Sequence, residues 1–212
     1  RVITDLKSKG QYDDTLIIIT ADHGEMLGDR HAWGKMTVYE AAYNTPLIVK
    51  VPNNDAWAGH EVTTPTESID ITPTILDWIG REAPTSMDGR SLLPLLRGAV
   101  PSDWRSATFS ELDFGDPVSP TLWQTMLGTN LRDSCLSILR DERFTLVEFA
   151  ADLPPLLFDH KAEGEEKNVA MQAEYASDLA RMSRQMLRFR MKHTDQTLSS
   201  AAITPEGVKW HR

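Results

Sequence analysis

Asp22, His23 and Lys35 are the residues of this chain whose types and spacing suit hydrolytic chemistry. Asp22 offers a hard anionic oxygen and His23 a borderline nitrogen, a donor pair suited to a divalent metal ion. Lys35 follows thirteen residues after Asp22, behind Trp33-Gly34, and carries a point charge that can meet the developing oxyanion of a tetrahedral transition state. Together they make part of a metal-assisted hydrolytic site. His31 falls in the same loop as a weaker candidate and is left out of the metal set. Asp22 and Gly24 also suit an ordinary turn with His23 as a surface side chain, and the tripeptide alone does not separate the two readings.

Such residues need rigid elements behind them. The β-branched run Leu16-Ile17-Ile18-Ile19 with Thr20 predicts an interior strand of a sheet covered on both faces. In α/β sheets ligands collect beyond the carboxyl ends of strands, where Asp22 and His23 stand. Adjacent side chains in a strand point opposite ways, so a bend is required, and Gly24 is expected to supply it. Leu47 to Val51 predicts a second strand with the turn-rich exit Pro52-Asn53-Asn54-Asp55, and Arg1 to Gly10 reads as the tail of a helix stopped by Gly10.

The run from Thr20 to Asp29 (TADHGEMLGD), then Trp33-Gly-Lys35 and Pro46-Leu-Ile-Val49, resembles the C-terminal half of the sulfatase group within the alkaline phosphatase superfamily. Ser68 to Gly80 (SIDITPTILDWIG), Asp88 to Pro94 (DGRSLLP) and Arg140 to Phe144 (RDERF) are similar to the phosphonate monoester hydrolase branch, as are Leu153 to Asp159, Arg190 to His193 and Thr204 to Gly207. The resemblance covers nearly the whole chain. It implies an α/β, alkaline-phosphatase-like sandwich with a mixed central sheet, then a smaller C-terminal antiparallel sheet with a long helix. It gives Asp22 and His23 the role of metal ligands, and Lys35 that of a catalytic, substrate-binding residue on the sulfate, phosphate or phosphonate oxygens.

The same resemblance implies a formylglycine nucleophile made from the first residue of a Cys-x-Pro-x-Arg segment. The single cysteine, Cys135, is followed by Leu-Ser-Ile-Leu, so that motif is not in these residues. The expectation is therefore the C-terminal half of a larger metal-dependent hydrolase of phosphonate monoesters, phosphodiesters or sulfate esters, inactive alone, with nucleophile and further ligands in an N-terminal region. The one divalent ion is manganese, zinc, iron or calcium, with carboxylate and imidazole favouring the first three over calcium. An arylsulfatase of the same family, and a noncatalytic scaffold or assembly piece, are the alternatives.

Composition restricts the partners. The 212 residues are 41% hydrophobic, enough for a real core. A net charge of −9 argues against a nucleic-acid surface, and it does not contradict the small anionic ester that the resemblance implies, since a divalent metal and Lys35 dominate the field at contact distance. One cysteine permits no intrachain disulfide, which leans towards a reducing, cytoplasmic compartment. No apolar run approaches the roughly 20 residues of a membrane helix, so no membrane partner is expected.

Further along, Asp70 to Gly80 predicts a helix with Pro73 in its first turn, a stripe of Ile71, Ile75, Leu76 and Ile79, Asp70 as a cap and Asp77 in solvent. Strands are expected over 107–111, 134–139 and 144–149, with Arg140 to Arg143 as a solvated hairpin tip, a short strand closing at Phe158-Asp159, and a charged linker over 161–167. Met171, Tyr175, Leu179, Met182, Met186 and Phe189 step by three and four, predicting a helix over 169–193 packed on its own domain. The expected organisation is 1–98 as part of the main α/β domain, 99–168 as a β subdomain, and 169–212 as helix and tail. The Met-rich helix and the polar tail, with Trp210 near its end, suggest a homo-oligomer contact.

Overall fold

The computed structural model describes residues 1–53, 57–193 and 201–210. Asn54, Asp55, residues 194–200 of the expected tail and the side chain of Trp210 lie outside the described residues. The chain gathers into two compact units, residues 1–64 with 92–104, and residues 65–91 with 105–212.

The first unit holds helix α1 (Val2–Ser8), strand β1 (Ile17–Thr20), the short helix α2 (Glu40–Tyr43) and strand β2 (Leu47–Lys50). As expected, α1 ends at Gly10, whose φ of 66° lets the Gly10 and Gln11 N–H groups return to the carbonyls of Lys7 and Leu6. β1 and β2 pair antiparallel with Ile18 opposite Val49 and Ile19 opposite Ile48. Lys50 Nζ donates to the carbonyls of Tyr12, Asp13 and Thr15 at 2.5, 2.9 and 3.3 Å, which pins the end of β2 to the segment leading into β1. The cover expected on both faces is not supplied by the described residues of this chain. β1 has one partner strand among the described residues, and Ile19 and Ile48 are 49% and 59% exposed. A continuous apolar run indicates burial only where neighbours exist on every side.

The second unit begins with helix α3 (Ile71–Trp78), and the first unit takes up the chain again at helix α4 (Leu93–Leu96). α3 ends at Gly80, with φ 69°, as predicted, and Pro73 lies in its first turn. Its buried side is not the Ile stripe: Pro73 and Thr74 are buried, whereas Ile75 and Ile79 are exposed. The face is set by Asp70, whose backbone carbonyl takes the Thr74 hydroxyl at 2.6 Å.

The remainder of that unit is a four-stranded antiparallel meander of β3 (Ala107–Asp113), β4 (Cys135–Asp141), β5 (Phe144–Phe149) and β6 (Leu156–Asp159), with helix α5 (Leu122–Leu127) between β3 and β4. Cross-strand partners Phe109, Leu139, Leu146 and Leu157 line up across one face. Helix α6 (Ala176–His193) covers that face with Met182 and Met186, which are fully buried in the core with Phe144, Leu157 and Val169. Phe189 stacks on Phe109 at 4.3 Å, and Tyr175 meets Phe144 edge-on at 6.3 Å. The predicted helical face thus packs on its own unit; only Met171, which precedes the helix, is left exposed. α5 has no counterpart among the sequence expectations, and its capping box of Thr121 and Gln124 is the signal that marks it. The Arg140 to Arg143 segment is a hairpin turn, but more than solvated: Asp141 Oδ1 takes the N–H groups of Arg143 and Phe144, and its other oxygen takes Arg181 at 2.9 Å. A last hairpin joins β7 (Ala201–Thr204) and β8 (Gly207–Trp210). Among the described residues no helix is long and apolar enough to cross a membrane.

Candidate active-site loop

β1 ends at Thr20 and delivers Asp22 and His23 two and three residues later. The Asp22 side chain is 87% exposed and that of His23 37%, with Asp22 Oδ2 lying 3.5 Å from His23 Nε2. His23 Nδ1 is 2.6 Å from the carbonyl oxygen of Gly24. A carbonyl only accepts, so Nδ1 carries a proton there, and in the neutral ring Nε2 presents its lone pair. Nε2 thus faces the Asp22 carboxylate either as an ion pair, in the protonated ring, or as a lone pair that a shared cation would join to the carboxylate oxygen.

The fit to a metal follows from that chemistry. Carboxylate oxygen and imidazole nitrogen bond such ions at about 2.0–2.2 Å, so two donors on one ion sit about 3–3.5 Å apart. The 3.5 Å separation therefore suits two corners of a shell, with the Nδ1 contact orienting the ring. Among the described residues no three His, Cys, Asp or Glu side chains are grouped closely enough to hold an ion alone.

Gly24 is needed for a reason other than the expected one. Its φ is not positive; instead a Cβ there would lie 2.0 Å from the carbonyl oxygen of Ala41. Its N–H also donates to the carbonyl of Ala42 at 2.9 Å. The residue lets the chain after His23 lie directly against the end of α2, and any side chain would lift it away.

From Glu25 to Gly34 the chain makes a closed loop. Met26 N–H donates to the carbonyl of Gly34 at 3.0 Å and Gly28 N–H to that of Ala32 at 2.9 Å. Glu25 Oε1 takes the N–H of Gly34 at 2.5 Å and of Leu27 at 3.3 Å. Met26 is buried, and Trp33 rests beside Gly28. The loop thus brings the chain back so that Lys35 leaves it one residue past the neck formed by Glu25 and Met26. The Lys35 side chain is exposed and has no ion-pair or hydrogen-bond partner among the described residues. His31 sits at the far turn of the loop, exposed, with φ 59°.

A second polar cluster lies in the other unit. Asp70, fully buried, takes the N–H groups of Glu67 and Arg90 at 2.8 Å and both terminal nitrogens of Arg105. Glu67 takes the Phe109 N–H at 2.7 Å and faces Arg105 Nε at 3.4 Å. Burial raises the Glu67 carboxyl above its ordinary value, opposed by the Phe109 N–H and Arg105. Gly89 passes so close to Ile69 that a Cβ would lie 2.0 Å from its carbonyl oxygen. Glu67, Asp70, Gly89, Arg90 and Arg105 are thus parts of one clamp within this unit, and Asp70 is its centre as well as a cap. Asp77 is exposed and takes the Ser91 hydroxyl at 2.5 Å.

A family model described as Sulfatase matches residues 1–81, the stretch that contains β1, the loop and β2. The multifunctional alkaline phosphatase superfamily protein PehA of Trinickia caryophylli is 42% identical over 209 residues, 98% of this chain and 40% of that protein. The solved phosphonate monoester hydrolase from Silicibacter pomeroyi is 62% identical and superposes with a TM-score of 0.90 over 100% of this chain and 42% of its own. The chain belongs to the sulfatase family of the alkaline phosphatase superfamily. The phosphonate monoester hydrolase of Agrobacterium radiobacter, 39% identical, superposes with a TM-score of 0.86 over 100% of this chain and 42% of its own. This sulfatase-family chain spans about two fifths of the length of the relatives it matches. Its mixed α/β fold is the one the resemblance implied.

Proposed function

We propose that this chain is part of a hydrolase of phosphonate monoesters, phosphodiesters or sulfate esters in which Asp22 and His23 hold one divalent ion and Lys35 binds the ester's nonbridging oxygens. The observation that carries the reading is the His23 ring, fixed through Nδ1 on the Gly24 carbonyl with Nε2 turned to Asp22 Oδ2 at 3.5 Å. When bound, the ion supplies Lewis-acid polarisation and neutralises negative charge; manganese, zinc and iron match these donors better than calcium. Lys35 compensates charge that accumulates on the nonbridging oxygens as the ester reacts, and its ammonium has no carboxylate to leave first among the described residues.

The nucleophile is assigned to a formylglycine from a region outside these residues. Cys135 lies at the start of β4 outside any Cys-x-Pro-x-Arg context, and burial with the nearby Asp113 raises its thiol above the ordinary value, against a reactive thiolate. The substrate is a small anionic ester rather than nucleic acid, and assembly into a homo-oligomer through α6 and the tail is part of the proposal. On the outer side of α6, Leu187 and Met191 are exposed beside Arg188.

Parallel assays of the full-length protein on a phosphonate monoester, an aryl phosphodiester and an aryl sulfate test the reading. Turnover of the two phosphorus esters is expected. Sulfate turnover alone favours an arylsulfatase, the second reading, supported by the family model that matches residues 1–81. Loss of none of these activities in Lys35→Ala defeats the role given to that residue.

A further inference from the structure

We infer that Glu25 is the positioning residue that sets Lys35 against the Asp22–His23 pair, an inference that rests on the reading of that site above. Glu25 stands two residues after His23, and Gly34 immediately precedes Lys35. One oxygen of the Glu25 carboxylate takes the Gly34 N–H at 2.5 Å and the Leu27 N–H at 3.3 Å, joining the two ends of the loop. Gly34 has φ 79° and open space where a Cβ would stand, so its glycine serves the backbone angle at the neck rather than close packing. Between the ends, Leu27, Arg30 and His31 hold φ values of 50°, 49° and 59°, a region that such residues occupy only where surrounding bonds over-determine the backbone. The charge-assisted bond to Gly34 is one of those constraints, and it acts on the peptide next to Lys35. Losing it leaves the Met26 to Gly34 bond and the buried Met26 in place, so the loop loosens at Lys35 without unfolding.

The test uses full-length protein carrying Glu25→Ala, Glu25→Gln, Lys35→Ala and the Glu25→Ala/Lys35→Ala pair. Glu25→Ala is expected to lower kcat/KM roughly 10- to 100-fold, the scale of an approximately 1 Å misplacement of a reacting group. Bound metal and melting temperature stay near wild type. Glu25→Gln, whose amide oxygen still accepts the Gly34 N–H, restores most of the rate. In the Lys35→Ala background the further loss of Glu25 costs nothing, because its effect passes through the absent lysine. Amide hydrogen exchange over residues 25–35 speeds up in Glu25→Ala, a readout independent of turnover. Undisturbed exchange with an undisturbed rate, or a fully additive double variant, overturns the role given to Glu25 while leaving the site reading intact. Wild-type turnover in Lys35→Ala overturns the site reading itself.

Discussion

Replacing Asp70 by alanine removes the acceptor of four hydrogen bonds at a fully buried position: the N–H groups of Glu67 and Arg90 and the two terminal nitrogens of Arg105. Each orphaned backbone N–H costs about 1–3 kcal/mol if water does not reach it. Removing one partner of a buried charge pair costs about 3–5 kcal/mol, because the other charge stays behind. These losses share one site and do not add, and Arg105 retains Glu67 at 3.4 Å. The expected total is therefore about 3–5 kcal/mol, which at 2–4 °C per kcal/mol lowers the melting temperature by roughly 6–20 °C. Asp70→Asn keeps one acceptor oxygen and loses the charge, so it should fall between alanine and wild type. Thermal melts followed by circular dichroism, with urea midpoints as a second measure, decide the matter. A loss below about 1 kcal/mol for Asp70→Ala would refute the clamp as an energetic centre.

Three other outcomes follow from the site and the core. Lys35→Ala should lower kcat/KM by about 100-fold, the equivalent of roughly 3 kcal/mol of oxyanion stabilisation, with metal content by elemental analysis unchanged. Gly24→Ala must move backbone, since its Cβ would lie 2.0 Å from the Ala41 carbonyl oxygen; a loss of about 1–3 kcal/mol and weakened metal retention are expected, read by melting and equilibrium dialysis. The Arg143 guanidinium holds the Asp159 carboxyl below its ordinary value, helped by the Lys161 N–H and opposed by burial. Because the folded value lies below the unfolded one, this stability is fully present above the ordinary carboxylate range and is lost as pH falls through the depressed value. Arg143→Ala should flatten the acid limb of a urea-midpoint against pH profile; parallel limbs for the two proteins would show the pair is not linked to folding.

What the sequence discloses divides by range of interaction. Met182 and Met186 announce their burial through spacing along one helix, and the β4 and β5 strands through short apolar runs, because both signals repeat within a few residues. The adjacency of Asp22 and His23 at a strand end is likewise local. Asp70 reads as a simple cap because its further partners, Arg90 and Arg105, stand 20 and 35 residues away. Gly24 reads as a flexible bend because the obstacle that demands it, Ala41, belongs to another element. Glu25 passes as an exposed acid for the same reason, its main partner lying nine residues on at a backbone nitrogen.

The two-stranded sheet has a practical consequence. Both β1 and β2 keep one edge without a neighbouring strand among the described residues, and the Ile19–Ile48 pair stands exposed beside those edges. Open backbone edges next to β-branched apolar side chains recruit further strands indiscriminately, the route to aggregation. Soluble yield of this chain expressed by itself should therefore rise when Ile48 is changed to lysine. A particle size measured on the isolated chain would then report edge stickiness, not a specific assembly.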